Sequence, residues 1–186
     1  MIFKILLRLI KQIHYLALMN QNNKAGFLKL IEENKLIVYK ICNTYCRNSN
    51  DRDDLAQEII YQLWKSFNHF NGNVKFSTWM YRVALNVAIS FYRKSVKGNV
   101  FIELTESHTG LPDKEDRKPE LEKNVEYLQQ FINELKELDK ALMILYLEEK
   151  SYGENSKILG ITETNRATKI SRIKEKLKQR FIIEKR

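Results

Sequence analysis

Helix-breaking residues are scarce along this chain, and that scarcity limits the possible fold more than any other feature of the sequence. Only 6 glycines and 2 prolines occur among 186 residues. A chain with so few breakers, and rich in leucine, isoleucine, lysine and glutamate, favours long α-helices joined by short loops over a β-sheet. We predict an all-α fold of two small helical domains joined by a flexible linker, with boundaries at residues 24–97, 98–124 and 125–182.

The linker prediction rests on a loss of helical periodicity after Lys97. Both prolines, Pro112 and Pro119, lie in this stretch among acidic side chains. Such a composition is typical of a flexible segment, so we expect it to leave the flanking domains free to reach separate sites. An alternative is that this acidic segment mimics nucleic acid and lies in a basic channel of a partner.

The charge balance predicts an anionic partner. The formal net charge is +9 and the pI is about 9.4, which indicates nucleic acid, although charge alone does not separate DNA from RNA or from an acidic membrane surface. Cations are concentrated in residues 93–97 and from Arg166 onward, whereas acidic residues are concentrated in 51–58 and 103–126. The basic patches are therefore separate.

The first twenty residues are apolar but are interrupted by Lys4, Arg8 and Lys11. A membrane span needs about 18 consecutive apolar residues, so we expect either an amphipathic basic helix on a membrane or partner or an extension upstream of a start at Met19. Cys42 and Cys46 have no Cys/His cluster near them in the sequence. We predict two reduced thiols, a cytoplasmic protein and no metal site.

Residues 51–94 combine an acidic helix with a helix rich in aromatic, basic and amide side chains. We predict a helix from about Arg52 to Phe67 with Asn50 or Asp51 as its N-cap. A loop follows around Asn71-Gly72-Asn73, and Ser77 or Thr78 is predicted to cap a third helix. Five apolar residues of that helix recur at spacings of three and four and are predicted to face the core: Met80, Val83, Ala84, Val87 and Phe91.

A polar row on the third helix is predicted to lie on a different stripe from its core. Arg82, Asn86 and Arg93 are spaced at four and seven, so they share one face. Aromatic rings can stack on unpaired bases while cations contact phosphates. This row, beside an aromatic-rich loop, indicates a site for unpaired nucleic acid.

The last two helices, 151–159 and 163–181, have the length and turn of a helix-turn-helix. Gly160 is predicted to end the first of them and Thr162 to cap the second. Thr168, Lys169 and Arg172 would face bases and phosphates of a duplex. A basic helix that is merely solvated is the alternative.

The two parts together resemble the sigma factors of bacterial RNA polymerase, in particular the short extracytoplasmic-function type with regions two and four. The motif DDLAQEIIYQLWKSF followed by FSTWMYRVALN is similar to region two, and SYGENSKILGITETNRATKISRIKEKL is similar to region four. The resemblance implies core RNA polymerase as partner, together with promoter DNA as duplex and as opened strand, and an anti-sigma factor bound to a membrane.

The resemblance also implies three sets of site residues. Polymerase binding would use Asp54, Gln57 and Glu58. Minus-ten DNA binding would use Phe70, Asn71, Asn73, Lys75, Trp79, Arg82, Asn86 and Arg93. Minus-thirty-five DNA binding would use Thr168, Lys169, Arg172 and Lys174.

Three positions depart from the family's pattern. An acidic residue is usual where Gly153 stands, and an aliphatic residue is usual at Asn155 and Arg166. Burying an unpaired polar group can cost about 1–3 kcal/mol. We therefore expect a second domain that is less stable than typical, or a displaced first motif helix that leaves Arg166 exposed.

No residue pattern in the chain points to catalysis. His14, His69 and His108 are scattered, and neither a nucleophile–base pair nor a phosphate-binding glycine loop occurs. We expect no cofactor and no small-molecule substrate, so the chain is not predicted to be an enzyme. Two other classes stay open at this point: a helix-turn-helix regulator that acts without core polymerase, and a peripheral membrane or interaction protein.

Overall fold

The computed structural model describes residues 21–99 and 120–184, and all regular structure in these two ranges is helical. The helices are α1 (Gln21–Tyr45), α2 (Ser49–Phe67), α3 (Phe76–Asn99), α4 (Glu120–Glu134), α5 (Glu137–Leu147), α6 (Tyr152–Leu159) and α7 (Glu163–Glu184). The all-α prediction is confirmed. The N-terminal segment, including Met1 and Met19, lies outside the described residues, as do residues 100–119 of the predicted linker.

Helices α1 to α3 form a first module around a core of large apolar side chains. The innermost of them are Phe27, Ile41, Leu55, Ile59, Leu63 and Met80. Helix α2 begins three residues earlier than predicted, and its N-cap is Asn48, whose side-chain oxygen accepts a 2.7 Å hydrogen bond from the Asp51 N–H. The prediction of Asn50 or Asp51 as cap was wrong, because both residues already lie inside the first turn.

Helix α3 also begins earlier than predicted. The Lys75 carbonyl accepts hydrogen bonds from the N–H groups of Thr78 and Trp79 at 3.0 and 3.1 Å, so the first turn starts at Phe76. Thr78 is only 6% exposed, and its hydroxyl donates to Glu154 at 3.4 Å. The predicted capping role of Ser77 or Thr78 is therefore wrong.

The apolar side of α3 is divided between a closed core and an open groove. Met80 and Ala84 are fully buried as predicted, whereas Val83, Val87 and Phe91 are half-buried and line a groove between α2 and α3. The prediction that all five face the core was thus correct only in part. Three buried residues were missed: Tyr81, Leu85 and Ala88.

Helices α4 to α7 form a second module with its own apolar cluster. Phe131, Ile132, Leu142, Met143, Ile170 and Ile173 are buried together there. The N-terminal end of α6 carries a capping box in which Ser151 and Glu154 satisfy each other's backbone N–H groups. This arrangement fixes the start of the helix-turn-helix.

The two modules pack against each other. Four buried residues of the second module belong to the same apolar cluster as the core of the first: Ala141, Ile144, Leu145 and Ile158. Helices α5 and α6 lie along α3, and α5 also contacts α1. The prediction that the linker leaves the modules free to reach separate sites did not anticipate this packing.

None of the helices in the two described ranges is long and apolar enough to span a bilayer.

Candidate polymerase and nucleic-acid interfaces

Two acidic side chains of α2 stand on the rim of the groove between α2 and α3. Asp54 and Glu58 are exposed and one turn apart, and the Gln62 side chain donates a 2.8 Å hydrogen bond to Glu58. Gln57 is half-buried and does not line the groove. The structure therefore brings together two of the three residues predicted for polymerase binding.

The groove combines this acidic rim with an apolar floor and with basic side chains. Its lining consists of Asp54, Glu58, Gln62, Lys65, Ser66, His69, Val83, Asn86, Val87, Ser90, Phe91 and Lys94. Half-buried apolar side chains flanked by charge are the usual composition of a surface that receives another protein's helix. None of these lining residues belongs to the second module as far as it is described.

Phe70, in the loop between α2 and α3, belongs to a cluster of aromatic side chains. The Phe70 ring centre lies 5.2 Å from that of Trp79 and 5.5 Å from that of Phe76, and it stacks at 6.3 Å on Phe67. Phe70 and Trp79 are half-buried. Packing therefore holds both rings in place and leaves part of each at the surface.

Beyond Phe70 the loop presents its polar side chains outward. Asn71, Asn73 and Lys75 are exposed, and the Asn71 side-chain oxygen accepts from the Asn73 N–H at 3.2 Å. Gly72 has φ 76°, a left-handed conformation that glycine adopts without a steric cost. This local turn holds the loop beside the aromatic cluster.

The predicted polar stripe of α3 is present. Successive helical residues are about 100° apart, so Trp79, Arg82, Asn86 and Arg93 fall on one side of the helix, and the last three are exposed. Asn86 also lines the groove between α2 and α3. The Arg93 Nε donates a 2.9 Å hydrogen bond to Glu137 of the second module.

The helix-turn-helix has the predicted turn. Gly160 ends α6 at φ 67°, and the Thr162 hydroxyl accepts from the Asn165 N–H at 3.2 Å at the start of α7. Asn155 and Arg166 are both buried, at 0% and 3% exposed. The expectation that a displaced helix exposes Arg166 is therefore wrong, since this side chain is buried.

The four side chains predicted for the minus-thirty-five element do not share one face. Thr168 and Arg172 are exposed one turn apart, whereas Lys169 is half-buried and donates to Asp139 at 3.4 Å. The Lys174 Nζ lies 5.4 Å from the ring centre of Tyr146. Contacts with α5 thus draw both lysines away from the outward face.

Two exposed residues on the same side of α7 as Thr168 were not predicted from the sequence. Thr164 is exposed, and its carbonyl accepts a 3.0 Å hydrogen bond from the Thr168 hydroxyl. Ser171 is exposed one turn after Thr168. Their spacing of four and three from Thr168 was the signal that could have identified them.

The two cysteines are free thiols, as predicted, and both are buried. Burial raises the pKa of the Cys42 thiol to about 12, with a smaller contribution from Cys46, and burial raises the pKa of Cys46 to about 11. Such thiols are poor nucleophiles and poor metal ligands at neutral pH. Within residues 21–99 and 120–184, no group of three or more His, Cys, Asp or Glu side chains could hold a metal ion.

Comparison with known protein families assigns both modules. Residues 30–97 match the Sigma-70 region 2 family and residues 125–177 match the Sigma-70 region 4 family. A helix-turn-helix regulator that acts without core polymerase is not favoured, because it leaves the match over 30–97 unexplained.

Individual relatives agree with this assignment. The chain is 31% identical to the RNA polymerase sigma factor YlaC of Bacillus subtilis, over 68% of this chain and 75% of that protein. It is 26% identical to the ECF RNA polymerase sigma factor SigW of the same organism, over 87% and 91%.

The fold is also similar to a solved structure. The sigma factor RpoE of Bartonella quintana, in a co-crystal structure with the anti-sigma factor NepR, aligns with a TM-score of 0.56 at 15% identity, over 80% of this chain and 93% of that one. The chain belongs to the RNA polymerase sigma factors of the extracytoplasmic-function type, and it is a non-enzymatic initiation factor that works with core RNA polymerase on promoter DNA.

Proposed function

We propose that separate surfaces of this sigma factor bind core polymerase, the opened minus-ten strand and the minus-thirty-five duplex. The first module, residues 24–97, docks on core polymerase and receives the opened minus-ten strand. The second module, residues 125–182, binds the minus-thirty-five duplex, and residues 98–124 connect the two. The observation that carries this proposal is the groove between α2 and α3, which lies open beside the loop that joins these two helices.

Core polymerase is proposed to dock at the acidic rim of that groove. Asp54 and Glu58 supply two carboxylates above the apolar floor of Val83, Val87 and Phe91. A partner helix with basic and apolar side chains complements this surface. Gln57 is half-buried beside this rim, so we assign it a supporting contact.

The loop and stripe are proposed to bind the opened minus-ten strand. Extruding a base from the duplex costs a few kcal/mol, which stacking on an aromatic ring can offset by about 1–3 kcal/mol per base. Phe70 and Trp79 offer partly exposed rings at a fixed distance from each other. The polar and basic neighbours then contact base edges and phosphates: Asn71, Asn73, Lys75, Arg82, Asn86 and Arg93.

The outward face of α7 is proposed to read the minus-thirty-five duplex. Thr168 and Arg172 would enter the major groove, where an arginine can pair bidentately with guanine. Thr164 and Ser171 join this face. Lys169 and Lys174 contribute positive charge from its flanks.

A protein partner and a location complete the proposal. The related RpoE structure contains an anti-sigma factor, and we infer that this chain also has an anti-sigma partner, anchored to a membrane. The sigma factor itself would act in the cytoplasm, where core polymerase and the chromosome are found.

Reconstitution with purified bacterial core polymerase tests the docking assignment. The double variant Asp54→Ala with Glu58→Ala should weaken core binding by tenfold or more, because close charge pairs across an interface can have coupling energies of roughly 1.5 kcal/mol or more. Glu32→Ala with Glu33→Ala removes two exposed carboxylates from α1 and should leave binding unchanged. Equal core affinity for all three proteins would reject the groove as the docking site.

Arg82→Ala separates DNA opening from docking. Arg82 lies on the polar stripe of α3 but does not line the groove. Asn86 lies on the stripe and also lines the groove, so its substitution could affect docking as well as opening. We expect normal core binding and slower opening of a promoter fragment that the wild-type holoenzyme has selected from genomic DNA. Permanganate reactivity of unpaired thymines measures the opening.

A further inference from the structure

The groove between α2 and α3 contains basic side chains that the proposed docking of core polymerase does not use. Lys65, near the C-terminal end of α2, and His69, just after that helix, both line the groove and are exposed. Neither side chain forms an ion pair with any residue in the ranges 21–99 and 120–184. Both are therefore available to an anionic partner.

The charges of α2 that line the groove are separated along the helix axis. Asp54 and Glu58 precede Lys65, which follows Glu58 by two turns. With a rise of about 1.5 Å per residue, this spacing corresponds to about 10 Å along the axis. The carboxylates and Lys65 thus form two surfaces of opposite charge, and only the first suits a basic helix of the polymerase.

The backbone fixes His69 next to the ring that is proposed to stack on a base. The His69 N–H donates to the Ser66 carbonyl at 3.0 Å, and the Phe70 N–H donates to the Phe67 carbonyl at the same distance. Consecutive Cα atoms are about 3.8 Å apart. The His69 imidazole is therefore held within one residue of the Phe70 ring.

We propose that Lys65 and His69 bind the sugar–phosphate backbone of the opened strand, which continues from the loop into the groove. The proposal rests on the minus-ten role proposed above for the loop and the polar stripe of α3. Asn86 lies on that stripe and also lines the groove, so the two surfaces are continuous.

The chemistry of the two side chains suits a phosphate backbone. The Lys65 ammonium supplies a point charge with three donors, and an imidazole N–H of His69 donates to a phosphate oxygen. Such contacts hold a strand in position without reading its sequence. Their role is to keep the opened strand from returning to the duplex while Phe70 stacks on a base.

The test uses holoenzyme reconstituted from core polymerase and the full-length sigma factor. Permanganate reactivity of a promoter fragment selected by the wild-type holoenzyme first maps the opened segment. The probe is a fluorescent oligonucleotide with the nontemplate sequence of that segment. Anisotropy then gives its affinity for the holoenzyme over a range of salt concentrations, with the sigma factor in excess so that core stays occupied.

Three variants are compared with the wild type. Lys65→Gln removes the charge and keeps a long side chain of similar helix propensity. His69→Ala removes the imidazole. Lys29→Gln is the matched control, because Lys29 is an exposed lysine of the same module that does not line the groove.

Lys65→Gln should flatten the slope of log affinity against log salt by about 0.7, the value for one phosphate contact on a single strand, and lower the affinity about fivefold at about 0.1 M salt. His69→Ala should lower it about threefold or more, because a hydrogen bond to a charged group is lost. Affinities and slopes equal to those of Lys29→Gln would overturn the proposal.

Measurement of core binding distinguishes DNA from an acidic surface of the polymerase as the anionic partner. Both groove variants should bind core as tightly as the wild type. If Lys65→Gln weakens core binding while the assembled holoenzyme keeps its full affinity for the oligonucleotide, Lys65 pairs with the polymerase and the proposal is overturned.

Arg82→Ala in the same assay separates failure of this proposal from failure of the minus-ten assignment. If Arg82→Ala weakens oligonucleotide binding while Lys65→Gln and His69→Ala match the control, only the extension of the strand into the groove is refuted. If Arg82→Ala also has no effect, the minus-ten assignment is refuted and the extension that rests on it falls as well.

Discussion

The Lys140 ammonium lies 4.6 Å from the centre of the Tyr92 ring, which places a cation of the second module over an aromatic face of the first. The Tyr45 ring is 5.8 Å away on another side, and Lys140 is 3% exposed. Burial lowers the pKa of this lysine, and the charge of Arg47 lowers it further. The aromatic faces offset part of the cost of removing the ammonium from water.

Lys140→Met tests how much the buried charge contributes. Methionine keeps the aliphatic stem and removes the charge, so we expect the free energy of unfolding to change by less than about 1 kcal/mol. Lys140→Ala removes the stem as well and should cost about 1–2 kcal/mol. Urea denaturation measures both, with Lys157→Met on exposed α6 surface as the control. A large loss in Lys140→Met would show that the cation–aromatic contact dominates.

Asn155→Leu is expected to stabilise the second module. Asn155 is fully buried; its side-chain amide donates to the Lys150 carbonyl at 3.1 Å, but its Oδ1 has no hydrogen-bond partner among the described residues. Leucine loses one hydrogen bond of about 1 kcal/mol and removes an unsatisfied oxygen that costs about 1–3 kcal/mol. We expect a net gain of about 1 kcal/mol in a thermal melt of the full chain.

The control for Asn155→Leu is Asn165→Leu. Asn165 is exposed in α7, so the change there reports helix propensity without burial. Equal melting temperatures for the two variants would contradict the prediction, because the gain would then owe nothing to the buried oxygen.

Arg172→Ala should weaken binding to the minus-thirty-five element far more than Lys169→Ala. Arg172 is exposed on the outward face, whereas Lys169 is half-buried beside Asp139. Losing a base contact costs about 1–3 kcal/mol and relaxes sequence preference. Competition binding of the holoenzyme to a selected promoter fragment measures the difference. Similar losses in the two variants would mean that Lys169 turns outward on DNA.

The buried thiol of Cys42 makes stability depend on alkaline pH. The pKa of this thiol is raised to about 12 in the folded protein from an ordinary value of 9.0, so its contribution is fully present below pH 9.0 and is lost as the pH rises towards 12. Urea denaturation between pH 8 and pH 9.5 should show a decline that is shallower in Cys42→Ala.

The matched control for that experiment is Val38→Ala. Val38 is buried on the same helix, so this change removes buried volume and keeps both thiols. Its pH dependence should parallel that of the wild type. If Cys42→Ala declines as steeply as Val38→Ala, the thiol does not account for the effect.

Local sequence patterns determined the helices and most of the candidate surfaces. Scarce glycine and proline settled the all-α class, Gly160 and Thr162 marked the turn of the helix-turn-helix, and the spacing of Arg82, Asn86 and Arg93 placed them on one exposed stripe. These properties depend on backbone preferences and on helical period, which act over a few residues. The family motifs add roles that periodicity cannot supply.

Tertiary structure alone decided which faces are covered. The helical period marks an apolar stripe but not whether a partner helix closes over it, so Val83, Val87 and Phe91 were assigned to a core and instead line an open groove. Tyr81, Leu85 and Ala88 were not assigned to the core, yet they are buried in the apolar cluster that both modules share. The pairings of Arg93 with Glu137 and of Lys169 with Asp139 join residues 44 and 30 positions apart. Contacts at such separation follow from the packing of whole helices, which no local pattern encodes.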